Sequence, residues 1–248
     1  MVTIMASTRT RAASRALPRA LGLAGLIVLS EDVARRFVVH WLPTLGAHLV
    51  NDMLAFVLCY VPLVLLTAPA AARTPRAIGA VLRQIAARAR TRLPWLGVVV
   101  ALGAAGWLGR LDHLLWGRVQ VPGAGWGNPL SSIVLVPQAG QVLTIISLLL
   151  VNGLLVPVCE ERLWRGLIQP RLVAGLGFLP GLALTAVLFS LKHALVDASL
   201  GRLLAIVGAG LVVGVIAARS SWKTSAVTHI ATNTVATLLV LAGAGGAV

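Results

Sequence analysis

The chain has 248 residues, 58% hydrophobic and 11% charged, with a formal net charge of +14 and a mean hydropathy of +0.92. Soluble domains are about 45–50% apolar and about 25% charged, and a surface this poor in charge would expose large apolar patches to water. A water-soluble globular enzyme is excluded, and so is an intrinsically disordered chain, which must be polar enough to stay solvated.

The bilayer is the solvent that remains, and helices satisfy their own backbone hydrogen bonds there. The expected class is all-α: a polytopic transmembrane helix bundle of about seven (six to eight) spans. Residues 1–19 read as a basic cytoplasmic segment carrying Arg9, Arg11, Arg15 and Arg19. The apolar stretch Ala20–Ser30 follows. Together they look like the basic and hydrophobic regions of a signal peptide, but no small-x-small cleavage site precedes Glu31, so an uncleaved first helix is expected.

Residues 20–141 hold the N-terminal spans. Leu49–Ala68 gives about 20 residues and about 30 Å of helix, enough to cross, with Asp52 near its end at the interface. Residues 73–92 carry Arg73, Arg76, Arg83, Arg88, Arg90 and Arg92 without an acid. They read as an amphipathic helix lying on anionic headgroups. Pro94–Gly109 is the next span, and 110–141 reads as a Gly/Pro/Trp-rich interfacial loop with aromatic anchors. In the last region, 142–248, apolar runs fall at Val142–Val158, Phe178–Leu195, Leu200–Ala218 and Thr224–Ala242.

Charge counting sets the orientation. With the N-terminus inside, fifteen basic residues lie on the inner side against five outside, with Lys192 left within a span. Basic residues collect on the cytoplasmic face. The excess therefore points to a membrane surface and not to nucleic acid, which needs its charge gathered on one soluble face. Cys59 and Cys159 both lie in apolar segments, which excludes a disulfide framework and a structural zinc site built on cysteine.

An ionisable group in mid-membrane costs at least about 2.5–3.5 kcal/mol, so each one calls for a reason. From residue 142 onward the exceptions are few: Asn152, the run Glu160-Glu161-Arg162-Leu163-Trp164-Arg165, the run from Phe189 to Lys192-His193, and His229 with Asn233. Glu161 and Arg165 stand i,i+4, in the order that pairs best. Glu160 points about 100° away from Glu161, so one carboxylate can be clamped while the other faces elsewhere. His229 and Asn233 are also i,i+4, and His193 comes from another span. A carboxylate base, a histidine to share its proton and neutral donors for an oxyanion make up the set needed to add water to a carbonyl. No serine lies in a nucleophile elbow, and Cys159 sits beside a carboxylate that disfavours its thiolate.

Blander readings exist for each group. Glu161–Arg165 can be a structural ion pair, a lone histidine a hydrogen-bonded core residue, and Asn233 interhelical glue. Phe189 reads as packing near the site. Gly210 and Gly214 read as a small-xxx-small pair that lets two helices approach. Such readings weaken when so many of these groups fall in one stretch of an otherwise uncharged bundle. Zinc stays open, with Glu160, His193 and His229 as its ligands if it binds, although the H-E-x-x-H spacing is absent. No cofactor is otherwise indicated.

The run EERLWR fits E-E-x-x-x-R, FSLKH fits F-x-x-x-H and HIATN fits H-x-x-x-N, in that order over roughly residues 142–240. In this the chain resembles the CPBP family of intramembrane proteases, which groups type II CAAX prenyl endopeptidases with bacteriocin-processing and Abi-type proteins. The resemblance implies a protease-like core over 142–248. In it Glu160 with His193 activates water, His229 and Asn233 hold the oxyanion, and Glu161 with Arg165 orders the site. The family is often labelled metalloprotease, although a glutamate-activated water without metal is the preferred mechanism.

Two departures stand out. Trp164 replaces the usual Phe, and Lys192 puts a second cation beside His193, where an inward-facing ammonium would disfavour the imidazolium. The expected activity is hydrolysis of a peptide bond in a membrane-embedded or lipidated peptide, CAAX-type or bacteriocin-like, in a bacterial plasma membrane. The alternative is a non-catalytic immunity or scaffold protein of the same fold. A transporter ranks below both, because no matching halves are found.

Overall fold

The computed structural model of the chain describes residues 2–41, 48–117, 145–146, 148–196 and 199–241. Most of the expected 110–141 loop, the side chain of Asp52 and those of Arg9, Arg11 and Arg15 lie outside the described residues. Every described element is helical: α1 (Val2–Trp41), α2 (His48–Thr67), α3 (Pro75–Arg88), α4 (Arg92–Trp116), α5 (148–176), α6 (Phe178–Val196), α7 (Leu203–Arg219) and α8 (Trp222–Leu241).

Local chemistry sets several of the ends. Thr74 caps α3 by accepting from the Ala77 N–H at 3.2 Å, and Pro75 occupies the first position, where no N–H is needed. Gly117 at φ +53° ends α4 and Gly177 at φ +89° ends α5, both in the left-handed region that suits glycine. The start of α7 is capped from another helix. Buried Asp112 of α4 accepts from the Leu204 and Ala205 N–H groups at 2.9 and 2.8 Å.

Two expected boundaries move. The first helix is not confined to Ala20–Ser30 but runs for 40 residues. Hydropathy finds only the apolar middle of a helix, while backbone hydrogen bonding continues through the Arg/Ala/Ser residues on either side. Likewise α4 runs through 110–116, the first part of the expected loop. Arg110 and Asp112 break the apolar run there, yet Asp112 turns inward as the α7 cap.

The core gathers where α1, α2, α5 and α6 meet, around Ile27, Phe56, Tyr60, Leu163, Trp164, Ile168, Leu172 and Phe189. On the other side α7 packs against α4, α6 and α8, and α8 lies against α5. Gly181 lets α6 reach α5, since a Cβ there would lie 2.5 Å from the Val173 backbone nitrogen. Among the described residues α4 and α6 are long and apolar enough to cross a membrane. The face of α4 away from the bundle exposes Leu96, Val99, Val100, Trp107 and Leu114, a band suited to lipid.

Candidate active site

The site grows from an irregular helix. Within α5, Leu148–Leu155 and Glu161–Ile168 are π-helical, flanking the α-helical Val156–Glu160. The wider π turns make the Gln169 N–H bond to the Trp164 carbonyl, five residues back. Such turns recur at functional sites because they re-aim side chains. Glu160 and Glu161 stand at this junction, and both are buried.

Glu161 sits in a tight cluster of partners. Arg165 Nη1 lies 3.5 Å from its Oε1 and His229 Nδ1 lies 3.0 Å from the same oxygen. The Ser225 hydroxyl donates to Oε2, with the Val213 carbonyl also 2.9 Å away. Arg165 in turn donates to the Gly210 carbonyl at 3.3 Å, and Gln169 donates to that of Gly214 at 2.9 Å. These bonds need α7 close to α5. A Cβ on Gly214 would lie 3.0 Å from Gln169 Oε1 of α5 and 2.5 Å from Leu182 Cδ1 of α6, and one on Gly210 3.4 Å from Arg165 Nη2 of α5.

Glu160 faces the other way. Its Oε1 takes a hydrogen bond from Lys192 Nζ at 2.8 Å. His193 Nε2 lies 3.8 Å from Oε1 and His229 Nε2 lies 3.9 Å from Oε2. These separations are too long for direct hydrogen bonds and suit a water molecule between the groups. The two imidazole side chains are 22% and 14% exposed, against 1% for Glu160, so the open side of the site is imidazole-lined. Phe189 holds both rings edge-on, with centroids 4.9 Å from His193 and 6.2 Å from His229, and its face receives the Arg165 guanidinium at 4.4 Å.

Asn233 lies one turn beyond His229. Its amide donates to the backbone carbonyl of Asn152 at 3.1 Å, and Asn152 donates to Thr237 at 3.4 Å. Together these contacts tie α8 to the π-helical stretch. The structure thus gathers Glu160, Glu161, Arg165, Phe189, His193 and His229 at one point and sets Asn233 at its edge.

Lys192 is the departure that matters. It is turned inward, 1% exposed, and its Nζ also reaches Glu31 Oε2 at 3.2 Å and the Tyr60 hydroxyl at 3.3 Å. Glu31 and Tyr60 carry no motif that sequence reading could have used. Glu31 stands just past an apolar run, where an acid looks interfacial, and Tyr60 is one aromatic within a span. Ser225 was equally silent. Glu31, Glu160 and Glu161 face Lys192, Arg165 and Arg35, so with both imidazoles neutral these six groups carry no net charge. Such balance is what makes a buried set of this size tolerable.

Zinc fits poorly here. The Lys192 ammonium bonds Glu160 Oε1, which leaves Oε2 to a metal ion and sets a repelling cation beside it. Among the described residues no three His, Cys, Asp or Glu side chains converge as a metal site. Beside the site, an apolar groove runs between α1 and α6, lined by Leu21, Ala24, Val28, Leu188, Leu191 and Lys192 among others.

Residues 142–235 match a family model described as type II CAAX prenyl endopeptidase Rce1-like. This match supports placing the domain over 142–235 in the CPBP family. The Rce1-like domain covers less than half of the chain and includes every motif residue named above, while α1 to α4 lie outside it. The family is one of CAAX-type intramembrane proteases, and the apolar α4 and α6 fit its membrane setting. No curated protein and no solved structure matches the chain significantly.

Proposed function

We propose that the chain is an intramembrane endopeptidase that hydrolyses a peptide bond through a water activated by Glu160. The observation that carries this reading is the pair of gaps, 3.8 and 3.9 Å, between the two Glu160 oxygens and the Nε2 atoms of histidines from two different helices. A water held there meets a carboxylate and two imidazoles at once. Its proton passes to Glu160 or a neutral histidine as its oxygen attacks the scissile carbonyl. The same proton is then delivered to the leaving amine.

His229 has a second task. Glu161, already receiving Arg165 and Ser225, accepts from Nδ1–H, so the neutral ring presents a lone pair at Nε2. Once protonated, Nε2 becomes a donor to the oxyanion, with the second N–H of Asn233 beside it. In this scheme Glu160, His193, His229 and Asn233 are catalytic, Glu161 and Arg165 order the site, and Phe189 sets the ring planes. No step needs a metal. The chemistry is assigned to 142–248, and the substrate is a membrane-embedded or lipidated peptide. A prenylated C-terminus is supported by the family description and by the apolar groove that ends at Lys192. The proposed setting is a bacterial plasma membrane, and the charge bias supports a cytoplasmic N-terminus.

The test uses the full chain in phospholipid vesicles with three quenched peptides: one ending in a farnesylated Cys-a-a-X sequence, the same peptide without lipid, and an apolar helical peptide. Mass spectrometry identifies the cut. Cleavage of the farnesylated peptide by wild type and none by Glu160→Gln is expected. Equal behaviour of the two proteins on all three peptides sinks the reading in favour of a scaffold protein of the same fold.

A further inference from the structure

We propose that Glu31 and Tyr60 are positioning residues for Glu160, acting through Lys192, so that the N-terminal helices complete a site whose motifs all lie in the Rce1-like domain. This rests on the endopeptidase reading above.

The geometry is that of a shared ammonium. Lys192 Nζ lies 2.8 Å from Glu160 Oε1, 3.2 Å from Glu31 Oε2 and 3.3 Å from the Tyr60 oxygen. Three acceptors match the three N–H bonds of a lysine, which has no acceptor of its own. Tyr60 donates its hydroxyl proton to Glu31 Oε2 at 2.9 Å, which leaves its oxygen lone pairs to receive Lys192. Arg35 holds the other Glu31 oxygen at 3.2 Å. Phe56 stacks on the Tyr60 ring at 4.0 Å and 6°, which fixes the phenol. Glu31, Tyr60, Lys192 and Glu160 are all at most 1% exposed.

A four-carbon lysine stem is flexible. Holding its head against one oxygen of Glu160 needs fixed acceptors on the far side, and α1 and α2 supply them. With Oε1 held by Lys192, Oε2 is the oxygen turned toward His229. Both bond to the ammonium that Glu160 accepts from, and their influence runs through it. The arrangement also gives α1 and α2 a task in the reaction that their lipid-facing residues do not suggest.

The experiment compares wild type, Glu31→Gln, Tyr60→Phe, Lys192→Gln and Glu31→Gln/Lys192→Gln in vesicles, with the farnesylated quenched peptide as probe and the thermal midpoint of each protein as a second readout. Glu31→Gln is expected to lower kcat about tenfold, and Tyr60→Phe about threefold, with KM changed less than twofold and Glu31→Asp recovering part of the loss. The double variant should be no slower than Lys192→Gln alone, and its fall in Tm should be smaller than the sum of the two single falls. Additive losses in rate and Tm, a change in KM alone, or faster turnover by Lys192→Gln would overturn the proposal. A wild type inert on the probe defeats the protease reading, and the Tm cycle then decides the shared ammonium alone: coupling keeps it, additivity removes it.

Discussion

Glu160 and Glu161 are adjacent in the chain and equally buried, yet they live in different surroundings. Glu161 is enclosed by Arg165, Ser225 and His229, all within the Rce1-like domain. Glu160 bonds to Lys192, which is itself anchored outside that domain, and it faces two partly exposed imidazoles at 3.8 and 3.9 Å, beyond hydrogen-bond reach. The difference teaches that one carboxylate is arranged to hold helices together, and the other, on the proposed function, to meet a substrate. Glu161 has its bonds to neighbouring side chains on both oxygens, whereas Glu160 Oε2 has its imidazole neighbour beyond hydrogen-bond reach.

Substitutions at the two positions should separate these roles. The largest effect is on turnover: Glu160→Gln should lower the rate of peptide hydrolysis by about 10²–10⁴, the range of a lost general base. Its Tm should fall less than that of Glu161→Gln, because Lys192 keeps Glu31 as a partner at 3.2 Å although one buried cation is left in excess. A rate loss below tenfold would break the comparison. Glu161→Gln should do the reverse in stability, since it strands the buried Arg165. Breaking a buried pair from one side costs about 3–5 kcal/mol, which denaturant or thermal unfolding in detergent would read. Equal destabilisation by the two glutamine variants would refute the division.

Smaller effects sharpen the picture. Gly214→Ala places a Cβ 2.5 Å from Leu182 Cδ1 and should cost about 1–3 kcal/mol by pushing α7 from α6. Gly103→Ala, on the exposed face of α4 with nothing within 4 Å of a Cβ, should be neutral or slightly stabilising. The smallest expected effect belongs to metal removal. Prolonged dialysis against a strong chelator should leave hydrolysis unchanged, because the Lys192 ammonium bonded to Glu160 would repel a zinc ion there. Activity lost to the chelator and restored by zinc would show that the metal binds despite that cation.

Much of this molecule was legible before any fold was known. Among the described residues, apolar runs located α4 and α6, the two helices long and apolar enough to cross, because hydrophobic length is what a bilayer selects. The motif residues Glu160, Glu161, Arg165, His193 and His229 stood out because an ionisable group in an apolar run is costly enough to need a purpose. Helix ends were less legible. The Arg-rich start of α1 and the Asp112 turn of α4 are polar but helical, and hydropathy cannot tell such residues from a loop.

What the sequence by itself determined was a helical membrane protein and the inventory of its polar groups. Tertiary structure alone decided which of those groups meet. Glu31 and Tyr60 lie 129 and 100 positions or more from the Glu160 side of the set only in the linear count; in space Lys192 reaches Tyr60 across 132 residues of chain and Glu160 across 32. No local spacing encodes such contacts. Helical periodicity fixes which residues share one helix face, while the pairing of faces depends on how whole helices pack, and here that packing turned Lys192 from a neighbour of a histidine into the link between two halves of the bundle.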